Sequence, residues 1–366
     1  MRNILLIIIS ILIGLPNLSF SQGCMEATSE DGVNVVGYIQ PSFGYHFLGN
    51  NLEGENQDEA DFYFERARLG VVGNIPYDIS YYAMFEFSPQ RGGAQILDAF
   101  ISYNRWDPYV KFSVGQFKSP FGLELSTPCH KLPTINRSLV VETLAGPFRD
   151  IGFLVSGGTG ELKILGAETE NFLSYQLAIM NGTGMNTMDN NRQKDVIGRL
   201  AIHPFDFITV GASYRFGKHP TLVDDADDDQ RSRLGIDVSL EHKNFIVQGE
   251  FISGSDKGSY TTGGGCGDPL EIHQGSVDRS GFMVLALYKT PWNLEPVIKY
   301  ESFDPNLDMT ATDDPTQFIQ NTITYGINYF FNEHTRLQIN YLYQAEENAR
   351  VEHMNDALLV QFQVDF

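Results

Sequence analysis

One pattern recurs along this chain and limits what it can fold into: segments of about ten residues in which apolar and polar side chains alternate, each followed by a turn. In Arg336-Leu337-Gln338-Ile339-Asn340-Tyr341-Leu342-Tyr343 the odd positions are apolar or aromatic, and most even ones are polar. Thr209 to Phe216 and Arg233 to Leu240 repeat this with the even positions apolar. A period of two is a strand's period, so one face of each segment meets an apolar medium and the other a polar one. The pattern predicts strands near 34–47, 60–73, 79–88, 96–104, 109–117, 150–157, 172–181, 194–203, 207–216, 232–241, 245–254, 278–288, 294–303, 318–330, 335–345 and 356–366. That makes sixteen, an even number.

The connections identify the medium. Short turns such as Asn74 to Asp78, His203 to Asp206, His242 to Asn244 and Phe331 to His334 alternate with long polar loops. Outer-membrane barrels show this asymmetry, with short periplasmic turns and long external loops. A soluble sandwich has no reason for it. The link 158–171 is long where the parity needs a short one; residues 161–169 read either as an insertion or as a place where two strands are misdrawn. Outside the first 21 residues no apolar run approaches the ~20 residues a helical span requires. The chain therefore crosses a membrane as strands or not at all, and its mean hydropathy of -0.19 fits either case. Its 17 Tyr and 26 Phe favour strands.

The N-terminus reads as an export leader. Arg2 is basic, Ile4 to Leu15 is apolar, and Ser19-Phe20-Ser21 supplies small residues for cleavage before Gln22. The expected organisation is a signal peptide over 1–21 and one outer-membrane β-barrel over 22–366. Phe366 ends the last alternating strand, and a terminal aromatic of this kind is a feature that barrel-assembly machinery recognises. A formal charge of -21 opposes nucleic-acid binding. The cysteines (Cys24, Cys129, Cys266) and scattered histidines form no metal-ligand spacing, so no cofactor is expected. The acidic run Asp224 to Asp229 lacks the Gly and distal Glu of a calcium loop and reads as a solvated external loop, bridged by cations to lipopolysaccharide. Cys129 and Cys266 both fall on external connections, where an oxidising compartment permits a disulfide.

Three segments resemble the phosphate-selective porin O and P family: Phe64-Glu65-Arg66-Ala67-Arg68-Leu69-Gly70, Val114-Gly115-Gln116-Phe117-Lys118-Ser119-Pro120-Phe121-Gly122-Leu123-Glu124, and Gly146-Pro147-Phe148-Arg149-Asp150-Ile151-Gly152. The resemblance implies a sixteen-stranded, trimeric channel with its third external loop folded into the lumen. It also implies that small anions such as phosphate pass along basic side chains. The third external connection here runs from Lys118 to Arg149, and a loop this long is uncommon unless functional. Its other reading is an external lid.

A channel selects by diameter and by the charges on its wall. Strand parity turns Arg66, Arg68 and Lys111 inward, with Arg199, Arg215, Arg233, Lys299 and Arg336. Lys118, Lys131, Arg137 and Arg149 lie where a folded-in loop would bring them to a constriction. Guanidinium and ammonium groups there would attract anions and coordinate their oxygens. Glu86, Asp98, Asp237, Glu250 and Glu301 share the inward parity and pull the other way, and Arg68 is placed to pair with Glu86. The sequence thus points to a passive porin preferring small anions, with a channel for neutral or organic solutes as the alternative. A surface-binding scaffold comes third, and a barrel enzyme fails because no nucleophile, base and acid gather.

Overall fold

The computed structural model describes residues 32–366 apart from 51–53, 77, 161, 165–166, 170, 222–227, 263–270, 310–316 and 348–353. The leader at 1–21, Cys24, Cys266 and Asp224 to Asp227 lie outside the described residues. Among the described residues, eighteen strands form: β1 (Gly32–Phe47), β2 (Glu59–Ile75), β3 (Ile79–Glu86), β4 (Gln95–Trp106), β5 (Val110–Lys118), β6 (Arg149–Gly158), β7 (Leu162–Ile164), β8 (Ala167–Thr169) and β9 (Leu173–Met180) in the first half. The second half holds β10 (Asp195–Phe205), β11 (Ile208–His219), β12 (Asp229–His242), β13 (Phe245–Thr262), β14 (Glu271–Tyr288), β15 (Leu294–Asp304), β16 (Gln320–Asn332), β17 (Thr335–Glu346) and β18 (Asp356–Asp365).

Sixteen of these close into an antiparallel barrel, each paired with its neighbours in the chain, and β7 with β8 forms a separate two-stranded sheet. Because β6 pairs directly with β9, from Gly152 opposite Met180 to Gly158 opposite Ser174, the 158–171 link is an insertion on a connection rather than wall. β13 and β14 run further than the alternation indicated and pair out to Thr262 opposite Glu271. Closure is made by β1 against β18, where Tyr38 faces Asp365 and Phe47 faces Asp356. At that seam Gly37 and Phe366 exchange backbone hydrogen bonds of 2.9 and 3.0 Å. Gly37 has no room for a side chain: a Cβ would stand 2.5 Å from the Arg68 carbonyl oxygen and 2.9 Å from the Phe366 ring.

The wall reverses a soluble protein's pattern. On β12, Leu234, Ile236 and Val238 are exposed on the outside while Arg233 and Asp237 are buried inside. On β18, Phe362 and Val364 are exposed while Gln361 and Gln363 are buried. Aromatic side chains collect at the ends that carry the short turns: Trp106 meets Tyr103 and Phe112 edge-on, Phe331 meets Tyr329 and Phe362 edge-on, Phe205 stacks on Phe207, and Phe245 lies tilted against Tyr288. Such rings have an apolar body and a polar rim or tip, so a girdle of them marks a membrane interface.

Val284 faces outward on β14, four residues before Tyr288 of the aromatic girdle, where the tilted strand lies inside the apolar band. Val284→Arg should destabilise the barrel in a bilayer by about 2–4 kcal/mol, the cost of a cation at the lipid midplane. Urea titration of the folded protein in lipid vesicles reads this, and an unchanged midpoint would mean that this face does not meet lipid.

Candidate pore constriction

Between β5 and β6 the chain makes a thirty-residue excursion, 119–148, with two short helices, α1 (Leu123–Ser126) and α2 (Leu139–Leu144). Its neck is drawn shut by Ser119, whose N–H donates to the Phe148 carbonyl at 2.8 Å and whose hydroxyl donates to the Pro147 carbonyl at 2.7 Å. From there its backbone is held by side chains of the inward rows on distant strands. The Gly122 N–H donates to Ser213 Oγ at 3.0 Å, and the Glu124 N–H to Glu250 Oε2 at 2.8 Å. Gly122 has φ 65°, and a Cβ there would sit 1.9 Å from Glu250 Oε1, so only glycine lets the loop approach this wall. The Leu139 N–H donates to Glu301 Oε1 at 3.0 Å, and the Ile135 N–H to Asn340 Oδ1 at 2.8 Å. In return, the Leu132 carbonyl accepts from Arg336 at 3.0 Å, the Pro133 carbonyl from Asn328 at 2.9 Å, and the His130 carbonyl from Gln363 at 3.1 Å.

A buried loop would normally leave unsatisfied backbone groups. Here the polar rows of β11, β13 and β15–β18 answer them one by one. An amide ladder supports those rows, Gln40 to Gln363 at 2.7 Å, Gln361 to Gln338 at 2.9 Å and Gln338 to Asn328 at 2.9 Å. The apolar side of the excursion is also occupied: Val140, Val141 and Leu144 of α2 join Phe117, Phe121, Leu125, Ile252 and Phe303 in one buried cluster.

The basic residues divide into two sets. On the far wall four are neutralised by a neighbour: Arg199 with Asp237 at 2.8 Å, Arg215 with Asp195 at 2.8 Å, Arg233 with Asp256 at 2.7 Å, and Lys299 with Glu301 at 2.9 Å. Arg336 has no carboxylate partner among the described residues and donates to the Leu132 carbonyl and Gln363 Oε1, both at 3.0 Å. On the near wall, five guanidiniums (Arg66, Arg68, Arg91, Arg137 and Arg149) line one cavity of ≈ 430 Å³ beneath the excursion. Two of them are neutralised, Arg68 by Glu86 at 2.8 Å and Arg149 by Asp98 at 3.0 Å. Arg66 and Arg91 share the single carboxylate of Glu65, which is 3.5 Å from Arg66. Arg137 has no carboxylate partner among the described residues; it donates instead to the carbonyls of Glu124 at 3.0 Å and Thr127 at 2.8 Å. Glu142 is the second acid of the lining. The cavity is positive.

Of the candidates, Arg66, Arg68, Arg137 and Arg149 meet in this cavity. The other three stand outside it. Lys118 is buried and donates to the Thr127 carbonyl at 3.4 Å, Lys131 is exposed, and Lys111 is half-buried on β5 opposite Ser156, near the short-turn end. Arg91 was not legible in the sequence, because it lies on a turn beside Gly92 and Gly93 with no strand parity to assign it. Glu65 escapes strict alternation too. The register slips between Gln40 and Pro41, so Gln40 faces Arg66 and Pro41 faces Phe64, and the extra residue brings both Glu65 and Arg66 into buried positions. Cys129 is a buried free thiol, and Cys266 is not among the described residues.

The model of the family "Phosphate-selective porin O and P" matches residues 34–207, which include this cavity and the whole excursion. Among solved structures, the chain is similar to the anion-selective porin from Comamonas acidovorans (12% identity, TM-score 0.63, covering 92% of this chain and 100% of that one). It is similar to the outer membrane channel DcaP of Acinetobacter baumannii (12%, 0.65, 94% and 100%). It is also similar to OmpT of Vibrio cholerae in its trimer form (11%, 0.59, 92% and 100%). No curated protein matches the chain in sequence.

Removing one member of a buried ion pair strands its partner. Arg68→Ala should therefore cost about 3–5 kcal/mol, and Arg68→Ala with Glu86→Ala should recover a substantial part of that. Denaturant midpoints of the three barrels in detergent check this; a double variant no more stable than the single would show that the pair is not coupled.

Proposed function

We propose that this outer-membrane porin, matched over residues 34–207 by the phosphate-selective porin O and P family, passes small solutes by diffusion with a preference for anions. The observation that carries the preference is the cavity whose five arginines meet four carboxylates, Glu86 and Glu142 in its lining with Glu65 and Asp98 paired to it from behind, and whose Arg137 has none of its own. Charge of one sign, held between low-dielectric walls where water cannot screen it, raises the local concentration of the opposite ion. Phosphate suits the site because guanidinium groups present paired donors to its oxygens. The excursion 119–148 sets the width of the passage, and its hydrogen bonds to the inward rows of opposing strands support a place inside the lumen rather than a lid above it. Arg66, Arg68, Arg137 and Arg149 form the selective face. Lys111, Lys118 and Lys131 serve as approach charges along the path.

The same reading takes residues 1–21 as a leader cleaved on export and 22–366 as one barrel. Three copies associate through their lipid-facing walls, outer-membrane lipid and lipopolysaccharide surround the trimer, and Phe366 hands the unfolded chain to the assembly machinery. The channel works without a cofactor or a catalytic step. The neutralised pairs of the far wall favour a broader passage as second reading, in which organic solutes use that side and anions the other.

Single channels in a planar bilayer under a salt gradient test this. The reversal potential should show anions preferred, and Arg66→Gln with Arg137→Gln should reduce the permeability ratio severalfold. Cation preference in the unaltered protein would end the anion assignment. Replacing residues 121–146 by a short Gly/Ser link should raise the unit conductance at least twofold, an estimate from the way width governs conduction; an unchanged conductance would remove the excursion from the path.

A further inference from the structure

Cys129 packs against Tyr38 and Leu132 on one side and meets guanidinium groups on the other. It is 3% exposed, yet it lines the arginine cavity. Arg68 Nη1 stands 3.2 Å from its sulfur, and Arg137 Nη1 and Nη2 both stand 3.5 Å away. Three charged donors converge on one sulfur, and a neutral thiol is a poor acceptor for them. Burial alone would raise this thiol, but Arg137, Arg68, Arg66 and Lys118 outweigh it and hold the group well below its ordinary range. The adjacent His130 adds no competing proton donor in charged form, since burial lowers it to about 4.

A second feature of the same cavity is directed at a ligand. Arg66 is 1% exposed, and its Nε has no hydrogen-bond partner among the described residues. A buried donor left unmade is costly, and an anionic oxygen in the cavity would satisfy it. A thiol held among guanidinium groups on one side and a vacant guanidinium donor on the other, across ≈ 430 Å³, form a receptacle for something both anionic and electrophilic.

We propose that Cys129 is a covalent modification site within the anion path, taking small anionic thiol-reactive molecules and narrowing the passage once they are attached. The effect on current rests on the channel reading above; the chemistry of the thiol does not. With a methanethiosulfonate, the Cys129 thiolate attacks the sulfenyl sulfur and a disulfide bond forms. The bond to the sulfonyl sulfur breaks, and methanesulfinate leaves with the electron pair. No proton moves and no oxidant is consumed. A sulfonate carried on the incoming group then lies among the arginines, so it both fills the cavity and cancels part of its charge.

The test uses the full-length protein and two reagents of opposite charge, 2-sulfonatoethyl and 2-(trimethylammonio)ethyl methanethiosulfonate. In detergent, intact mass and peptide mapping should place one sulfonatoethylthio group on Cys129 at a rate about tenfold or more above that of the cationic reagent, a ratio within reach of electrostatic focusing. In bilayers the anionic reagent should lower the unit current stepwise, dithiothreitol should restore it, and Cys129→Ser channels should not respond. Equal or faster labelling of Cys129 by the cation, no group on Cys129, or its labelling only after reduction or denaturation would each overturn the site. Peptide mapping of the unaltered protein decides this even where Cys129→Ser does not fold. Selective labelling of a protein that carries no current would keep the site and discard the channel.

Discussion

Everything in this molecule depends on the ring of backbone hydrogen bonds being complete. In hydrocarbon an unpaired N–H or C=O costs several kcal/mol, so a sheet survives there only without edges. The seam from Tyr38 opposite Asp365 to Phe47 opposite Asp356 removes the last two edges, and the Gly37–Phe366 exchange finishes it. Once the backbone is satisfied within the wall, side chains are free to face two solvents. The exposed Leu234, Ile236 and Val238 and the buried Arg233 and Asp237 on one strand are then consistent with one another rather than a fault.

A closed sixteen-stranded wall encloses more space than its own side chains fill, and what occupies that space decides what the channel does. Outside its two short helices the 119–148 excursion is irregular backbone whose internal hydrogen bonds leave several of its N–H and C=O groups to be met from the wall. It is ordered because Ser213, Glu250, Glu301, Asn328, Arg336, Asn340 and Gln363 supply the partners that a helix or sheet would have supplied. The polar rows thus do two tasks, solvating a passage and fastening the segment that narrows it. Their amides and carboxylates lie mid-strand on many separate strands, so the segment is positioned by the barrel as a whole rather than by its own neck.

Electrostatics then differ across the bore. Burying a charge without a partner is expensive, and Arg68, Arg149, Arg199, Arg215 and Arg233 each have a carboxylate one or two strands away. The exceptions gather against the excursion: Arg66 and Arg91 share Glu65, Arg137 leans on carbonyls and a sulfur, and Arg336 donates to the Leu132 carbonyl. Such an excess of buried positive charge is a cost unless anions pass through it, which makes this corner the part of the wall least explained by stability alone.

The period-two alternation was enough to determine the sixteen wall strands, their antiparallel order and the inward face of Arg66, Arg68, Arg199, Arg215, Arg233 and Arg336, because strand parity is a local property and a one-residue slip would turn every apolar side chain into the bore. It also marked 158–171 as irregular, and the pairing of β6 with β9 resolved it as an inserted hairpin. Parity says nothing about residues off the strands. Arg91, Cys129, Arg137 and Glu142 belong to turns and to the excursion, and Glu65 enters through a slip of register opposite Pro41. Which of them meet, and which arginine is left short of a carboxylate, are contacts between segments far apart in the chain. Only closure of the barrel brings those segments within reach, so composition and spacing alone determined the wall, and the tertiary structure decided the charge of the passage.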